Sequence, residues 1–228
     1  PIRAGLQARL GVPVQVDNDV TCAAYGEWAV GAAAGAGDVL LVALGTGIGG
    51  GLIVGGRLAR GAHGYAGEIG HMVVDPNGPP CPCGQRGCWE RFASGSGLGR
   101  LGREAAMAGL APGVAALAGG DAEAVRGEHV TDAAQAGDPG AKALLDAFAG
   151  WLALGLANLT NVFDPDRIVL GGGLVDDAAL WIDATRTAFA GRSVGAAVRP
   201  DVPLVPAALG ARAGAVGAAL LGRSRSQP

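Results

Sequence analysis

The sequence is poor in charge, in aromatic residues and in lysine. Charged residues make up 16% of the 228 residues, the net charge is −3, and Lys142 is the single lysine among 17 basic residues. This composition lacks the basic surplus of a general nucleic-acid binder, so we expect no nucleic-acid partner. Half of the residues are hydrophobic, which excludes an intrinsically disordered chain. Glycine is abundant, at 42 residues, but follows no G-X-Y period, which excludes collagen.

Long hydrophobic runs are also missing. The most apolar stretch, Val39–Leu44, is far shorter than the roughly 20 residues that cross a bilayer. No segment has the pattern of a signal peptide. We therefore expect a cytoplasmic protein of one or two domains, without a membrane partner.

Apolar strands alternate with helical segments along the chain, which is typical of an α/β fold. Strands are predicted at 12–16, 39–44, 52–54, 167–170 and 202–205, and helices at 2–10, 20–30, 98–117, 138–163, 178–190 and 211–221. Residues 61–90 are rich in glycine, proline and cysteine and lack periodicity, so we expect an irregular loop there. The tail at 223–228 is predicted to be disordered.

The irregular loop carries a cluster of metal-ligand residue types. Cys81, Cys83 and Cys88 lie within eight residues, and His71 lies ten residues upstream of Cys81. Zinc prefers four tetrahedral sulfur and nitrogen ligands, so we predict a closed, structural zinc site. The alternatives are a disulfide, which a cytosolic protein rarely keeps, or unconnected thiols. Cys22 has no partner nearby and is expected in the core.

Two glycine-rich turns follow buried strands. The segment Gly45-Thr46-Gly47-Ile48-Gly49 can present backbone N–H groups to a phosphate, because glycine has no Cβ to keep an anion away. It matches neither a Walker A loop nor a Rossmann loop. Gly171-Gly172-Gly173 ends another strand, where ligands approach α/β sheets. For both segments an ordinary turn is the alternative.

Several acidic residues are candidates for chemistry. Asp19 stands at the head of a helix, where it either caps that helix or acts as a catalytic carboxylate. Zinc ligation would draw Glu68, His71 and Glu90 into one region, and Arg86 is the only lysine or arginine between the two glutamates. Such carboxylates suit hydrogen bonding to a polyol. Simple surface charge is the alternative for each.

Taken together, these motifs resemble the ROK family (repressors, open reading frames, sugar kinases), and most closely its bacterial glucokinases. The matching segments run in order along the chain: Asn18-Asp19-x5-Tyr25-Gly26-Glu27, Leu44-Gly-Thr-Gly-Ile-Gly-Gly-Gly51, Gly67-Glu-Ile-Gly-His71, Cys81-Pro-Cys-Gly-Gln-Arg-Gly-Cys-Trp-Glu90 and Asp164-Pro-x2-Ile-Val-Leu-Gly-Gly-Gly173. The cysteine motif that ends in Glu90 is the most specific of them.

The resemblance implies an actin-like (ribonuclease H-like) α/β ATPase fold with two lobes. It implies an ATP-dependent glucokinase in which Asp19 is the general base for the 6-hydroxyl of glucose or a related hexose. It also implies the binding groups: Asn18, Glu68, His71 and Glu90 for the sugar; Gly45, Thr46, Gly47, Gly49, Gly171 and Gly172 for ATP, which carries Mg²⁺; and His71, Cys81, Cys83 and Cys88 for Zn²⁺.

The sequence departs from the family pattern at its front. Family kinases begin with an Asp-x-Gly-Gly-Thr loop, and no such segment occurs in the 228 residues. We therefore interpret residues 1–18 as the end of a truncated small lobe, 19–210 as the large lobe, and 211–228 as a helix returning to the small lobe, with a disordered tail. We expect the chain as written to be unstable or inactive on its own.

Two kinds of alternative function remain open within this resemblance. One is a sugar-responsive repressor, whose DNA-binding segment would precede residue 1. The other is a kinase for N-acetylmannosamine, N-acetylglucosamine, fructose or allose; a polyphosphate-using glucokinase is disfavoured because such enzymes tend to lack the zinc cysteines. A homodimer or homotetramer is expected, since symmetric assemblies are common among soluble enzymes.

Overall fold

The computed structural model describes residues 1–224 and is built on a mixed five-stranded sheet. In spatial order β3-β2-β1-β4-β5, the strands are β1 Val39–Leu44, β2 Ile48–Val54, β3 Arg57–Ala59, β4 Arg167–Gly171 and β5 Leu204–Pro206. β2 runs antiparallel to both β1 and β3, whereas β4 runs parallel to β1 and to β5. The glycine-rich turn and the carboxyl end of β4 therefore lie at the same edge of the sheet.

Helices other than α1 cover both faces of this sheet. The α-helices of the described residues are α1 Ile2–Leu10, α2 Asp19–Val30, α3 Glu90–Ala93, α4 Gly95–Met107, α5 Pro112–Leu117, α6 Gly127–Gln135, α7 Pro139–Phe163, α8 Ile182–Phe189 and α9 Ala213–Ser224. Helices α2 and α9 pack on each other so closely that Gly26 of α2 lies against the backbone of Gly217 in α9.

The central strand β1 is apolar throughout because both of its faces are buried. Leu40, Val42 and Leu44 belong to the larger core, which the helices between α3 and α8 cover, whereas Val39 and Leu41 belong to a smaller core beneath α2. An all-apolar run is typical of a parallel strand in the middle of a covered sheet. The structure confirms the strand predicted at these residues.

The glycines of strand β2 make room for α2. A Cβ on Gly49 would lie 2.7 Å from Cγ2 of Val20, and one on Gly51 would overlap Ala24. The predicted strands at 39–44 and 52–54 pair as a hairpin, but β2 begins at Ile48 rather than at Leu52, so Gly49 to Gly51 are strand residues. Gly49 and Gly51 leave room for α2, whereas Gly50 lies against the carbonyl of Gly67 and the side chain of Ile69.

Other element boundaries differ from the predictions. Residues 12–16 form no strand, since no described strand pairs with them. The helix expected at 98–117 is two helices, α4 and α5, because Gly109 has a left-handed φ of 70° and Pro112 starts a new helix. The helix expected at 178–190 begins instead as a 3-10 helix over Gly173–Leu180. Of the predicted disordered tail, 223 and 224 belong to α9, and 225–228 lie outside the described residues.

Helix α7 is the longest element. Its 25 residues begin at Pro139 after the Asp138 cap, as predicted, and it is the one helix of residues 1–224 whose length and composition would suit a membrane span. Core helices pass the same test, and Phe148, Leu152 and Leu156 of α7 are buried in the larger core. The expectation that Val39–Leu44 is the most apolar stretch is therefore wrong for length, although the helix itself was predicted at 138–163.

The first helix is almost free of tertiary contacts. None of its residues is buried, and Ile2, Leu6 and Leu10 expose one apolar stripe. After it, Asp17 forms an ion pair with Arg60, with 2.6 Å between carboxylate and guanidinium. The division into lobes at residues 18 and 210 stays a prediction.

Candidate active site

The four predicted zinc ligands lie together. Their ligand atoms are all within 4.8 Å of one another. The Sγ of Cys81 lies 3.7 Å from Nδ1 of His71, and the Sγ atoms of Cys83 and Cys88 are 3.5 Å apart. Zn–S and Zn–N bonds of tetrahedral zinc put neighbouring ligand atoms about 3.5 to 3.8 Å apart. The donor set and its spacing therefore fit a zinc ion.

Turn chemistry holds these ligands in place. The N–H of Cys81 donates to the carbonyl of Gln85 at 2.8 Å, and the N–H of Gly84 donates to the carbonyl of Cys81 at 3.0 Å. Gly84 and Gly87 both have left-handed φ values, 93° and 69°, which glycine adopts without strain. Glycine at these positions lets the loop fold back so that Cys81 and Cys88 meet.

The thiols of the cluster have perturbed acidities. Burial raises the pKa of the Cys81 thiol to about 12 and also raises the pKa of Cys88. The backbone N–H of Gln85 lowers the pKa of the exposed Cys83. Because zinc binds thiolates, the ion must displace protons from the two buried thiols, and zinc affinity is expected to fall as the pH falls.

The predicted sugar-binding side chains lie beside the zinc cluster. His71 ends a short 3-10 helix, Ile69–His71, with its Nδ1 3.7 Å from Oε1 of Glu90 and its Nε2 3.9 Å from Oε2 of Glu68. The Glu68 side chain is 58% exposed, whereas that of Glu90 is 18% exposed. The imidazole thus lies between the two carboxylates, and zinc ligation through Nδ1 would leave Nε2 facing Glu68.

Asp19 is the first residue of α2, and it is exposed. Asn18, not Asp19, caps the helix: its Oδ1 accepts the N–H of Thr21 at 3.0 Å. This capping bond uses the Asn18 oxygen and leaves its NH₂ group able to donate to a ligand. The next residue, Val20, packs against Gly49 near the start of β2, so the amino end of α2 lies beside the hairpin.

A cleft of about 560 Å³ opens beside the glycine turn. Three glycine-containing segments line it: Gly45 and Thr46 of the turn, Gly95 and Ser96 at the start of α4, and Gly127 and Glu128 at the start of α6, with Arg103, Arg126, Gly173 and Asp177 among the other lining residues. The N–H of Gly95 donates to the carbonyl of Gly45 at 2.8 Å, which ties α4 to the turn. Two helix amino ends therefore face the cleft, an arrangement that favours anions.

Not every predicted ATP-binding glycine lines this cleft. The N–H of Gly45 donates to the carbonyl of Gly47 at 3.0 Å, so the turn itself uses one of its donors. Gly172 has a φ of 86° and lies against the backbone of Leu44, where a Cβ would overlap. Gly171 lies near Ala207, and of this glycine run only Gly173 lines the cleft.

The sequence model of the ROK family matches residues 1–225. The chain belongs to the ROK family. The sheet and its helices are accordingly part of an actin-like ATPase fold, which confirms the fold and the family that the motifs predicted.

Relatives of this ROK protein include enzymes and regulators. The glucokinase of Streptomyces coelicolor is 41% identical over 225 residues, which are 98% of this chain and 71% of the glucokinase. The solved structure of a ROK glucokinase from Streptomyces griseus, in complex with glucose and AMPPNP, superimposes with a TM-score of 0.89 at 41% identity, over 98% of this chain and 72% of that one. The xylose repressor of Bacillus subtilis is 32% identical over 95% of this chain and 52% of the repressor.

Sequence reasoning missed two parts of this ROK protein's cleft. Helix α6 was not predicted at all, and the amino end of α4 was predicted three residues too late, at residue 98. The available signal was the cap Ser94, whose hydroxyl oxygen accepts the N–H of Gly97 at 3.1 Å. The first turn of α6 carries Gly127, Glu128 and His129 ahead of its first apolar residue, Val130, so its pattern resembles a loop.

Proposed function

We propose that this chain belongs to an ATP-dependent glucokinase, which phosphorylates glucose at the 6-hydroxyl to give glucose 6-phosphate. The observation that supports the proposal is the packing of two segments on the glycine-rich hairpin: Val20, next to Asp19 in α2, lies against Gly49, and Glu90, beside the zinc cluster, lies against Gly47. A proton acceptor at Asp19, polyol-binding side chains and a phosphate-binding turn would together make up a sugar-kinase site.

The sugar would be held by side chains from three segments. Glu68, His71 and Glu90 supply two carboxylates and one imidazole N–H around the zinc loop, and Asn18 supplies an amide at the head of α2. Carboxylates accept hydrogen bonds from hydroxyls, and several of them around one ring recognise a polyol. Zinc at His71, Cys81, Cys83 and Cys88 would have a structural task, because four protein ligands leave it no open position.

The nucleotide would lie in the cleft beside the turn. Gly45, Thr46, Gly47 and Gly49 belong to the turn and the start of β2, and the amino end of α6 would add N–H groups from the cleft lining. The first N–H groups of α4 already donate to Gly45, Thr46 and Ser94, so α4 would hold the turn in place. ATP would supply the phosphoryl group, and the Mg²⁺ that accompanies it would neutralise charge on the transferring phosphate. Gly171 and Gly172 would support the nucleotide site indirectly, because the lack of a side chain at Gly172 lets the end of β4 lie against Leu44 at the end of β1.

Asp19 would perform the proton transfer. An alkoxide is a poor species near neutral pH, so a positioned carboxylate must accept the proton as the 6-oxygen attacks. A bond forms between that oxygen and the γ-phosphorus, the bond from the γ-phosphorus to the β,γ-bridging oxygen breaks, and ADP leaves while Asp19 holds the proton. The exposed position of Asp19 leaves it accessible to the hydroxyl.

A panel of sugars and donors tests the proposal. The protein from the complete reading frame is assayed with glucose, fructose, N-acetylmannosamine, N-acetylglucosamine and allose, each with ATP, GTP and polyphosphate. We expect glucose with ATP to give the highest kcat/KM. A higher kcat/KM for another sugar than for glucose would assign that sugar as the substrate. Sugar binding without turnover would favour the repressor class, to which the 32%-identical xylose repressor belongs.

A cytoplasmic location and a homodimeric or homotetrameric assembly are part of this proposal.

A further inference from the structure

The side chain of Glu90 links two parts of the site. Its Oε1 lies 3.2 Å from the Sγ of Cys81 and 3.7 Å from Nδ1 of His71, on the zinc side. Its other oxygen, Oε2, lies against Gly47 in the glycine turn. The carboxylate therefore fills the gap between the zinc loop and the turn.

The absence of a side chain at Gly47 creates the space that Glu90 occupies. A Cβ at Gly47 would lie 2.5 Å from Oε2 of Glu90 and 3.6 Å from its Cδ, and no other described atom beyond the chain neighbours comes within 4 Å. Gly47 is not among the glycines with positive φ, so an alanine would fit its backbone. The obstacle to alanine is thus the end of one flexible side chain, which can move without unfolding the protein.

We propose that Gly47 is a positioning residue for the sugar: it leaves open the place from which the Glu90 carboxylate binds a sugar hydroxyl. The inference rests on the proposed function, in which Glu90 is a sugar ligand and the turn serves the nucleotide. Sugar affinity then depends on a residue of the phosphate turn that reaches the sugar only through Glu90.

Gly45 provides the contrast within the same turn. A Cβ there would meet no atom within 4 Å, and its φ is not positive either, so the protein alone places no obstacle to alanine at Gly45. Gly45 lines the nucleotide cleft, whereas Gly47 does not. Alanine at Gly45 should therefore disturb the nucleotide, and alanine at Gly47 should disturb the sugar.

Calorimetric titration separates these effects. Dissociation constants for glucose and for ADP are measured on the protein from the complete reading frame and its variants Gly47→Ala, Gly45→Ala and Gly150→Ala, the last in helix α7 with open space around its Cβ. Gly47→Ala should weaken glucose binding about tenfold or more, the loss expected for one hydrogen bond to a charged group. Gly45→Ala should weaken ADP binding and leave the dissociation constant for glucose within about twofold of wild type. Gly150→Ala should leave both dissociation constants within about twofold of wild type.

A second substitution tests the route through Glu90. Glu90→Asp shortens the side chain by one methylene, so by itself it should weaken glucose binding, but in the Gly47→Ala background it should recover part of the lost affinity. Wild-type glucose affinity in Gly47→Ala, or losses that simply add in the double variant, would overturn the inference. A wild-type protein that binds none of the five hexoses would instead overturn the proposed function itself.

Discussion

Glu27 is expected to be the most important buried carboxylate for stability. It is fully buried in α2, where Oε2 accepts the N–H of Ala32 at 2.7 Å and of Ala208 at 3.1 Å, and Oε1 accepts the N–H of Leu209 at 2.8 Å. One side chain thus ties the end of the Asp19 helix to the segment that follows β5. Water does not reach the site, so every bond lost there leaves an unsatisfied donor.

The substitution Glu27→Gln measures this link. The amide oxygen can replace Oε2 and keep two bonds, but the amide NH₂ would then face the N–H of Leu209, donor against donor. One charge-assisted bond is lost and two become neutral, which amounts to a destabilisation of about 2 to 4 kcal/mol. For a chain of this size that lowers Tm by roughly 5 to 15 °C.

Thermal and urea unfolding provide the assay, with the exposed Glu123→Gln as matched control, expected within about 0.5 kcal/mol of wild type. Gly31→Ala is a second perturbation of the same carboxylate, because its Cβ would overlap Oε2 of Glu27; it would also lie 2.8 Å from the Cα of Glu27, so a destabilisation at least as large is expected. Glu27→Gln with wild-type stability would refute the reasoning. So would full additivity of the two substitutions, since residues in contact are expected to couple.

Two further perturbations probe the zinc loop and a helix cap. Cys83→Ser should lose bound zinc and loosen the loop that carries Glu68 and His71. Cys22→Ser changes a buried thiol outside the cluster and should keep its zinc. Equal zinc content of the two variants, measured by atomic absorption, would refute the ligand set. The N–H groups of Ala141 and Gly113 lower the pKa of Asp138, so its stabilising effect is present above the unfolded value near 3.9 and is lost as the pH falls through the lower folded pKa. Asp138→Asn keeps the helix cap but does not titrate, so the urea midpoint of this variant should depend less on pH between about pH 4 and pH 2. A pH dependence of the midpoint equal to that of wild type would contradict this assignment.

Local signals predicted much of the fold and of the candidate site. β1 was recognisable because a wholly apolar run indicates a strand that is buried on both faces. The zinc cluster was recognisable because its ligands are close in sequence. The role of Glu27 was not predictable, since its partners Ala208 and Leu209 lie about 180 residues away. The contact of Glu90 with Gly47 depends likewise on tertiary structure, and helix α6 was missed because its buried face includes small residues such as Ala133 and Ala134.

The most direct test of the account is a comparison of wild type with Asp19→Asn. Phosphorylation of glucose is measured with ATP, and glucose binding is measured by calorimetry on the same preparations, from the complete reading frame. We predict that Asp19→Asn binds glucose as wild type does but loses turnover by several orders of magnitude, because only the proton acceptor is removed. A variant that retains most of its turnover would remove Asp19 from the mechanism and contradict the account.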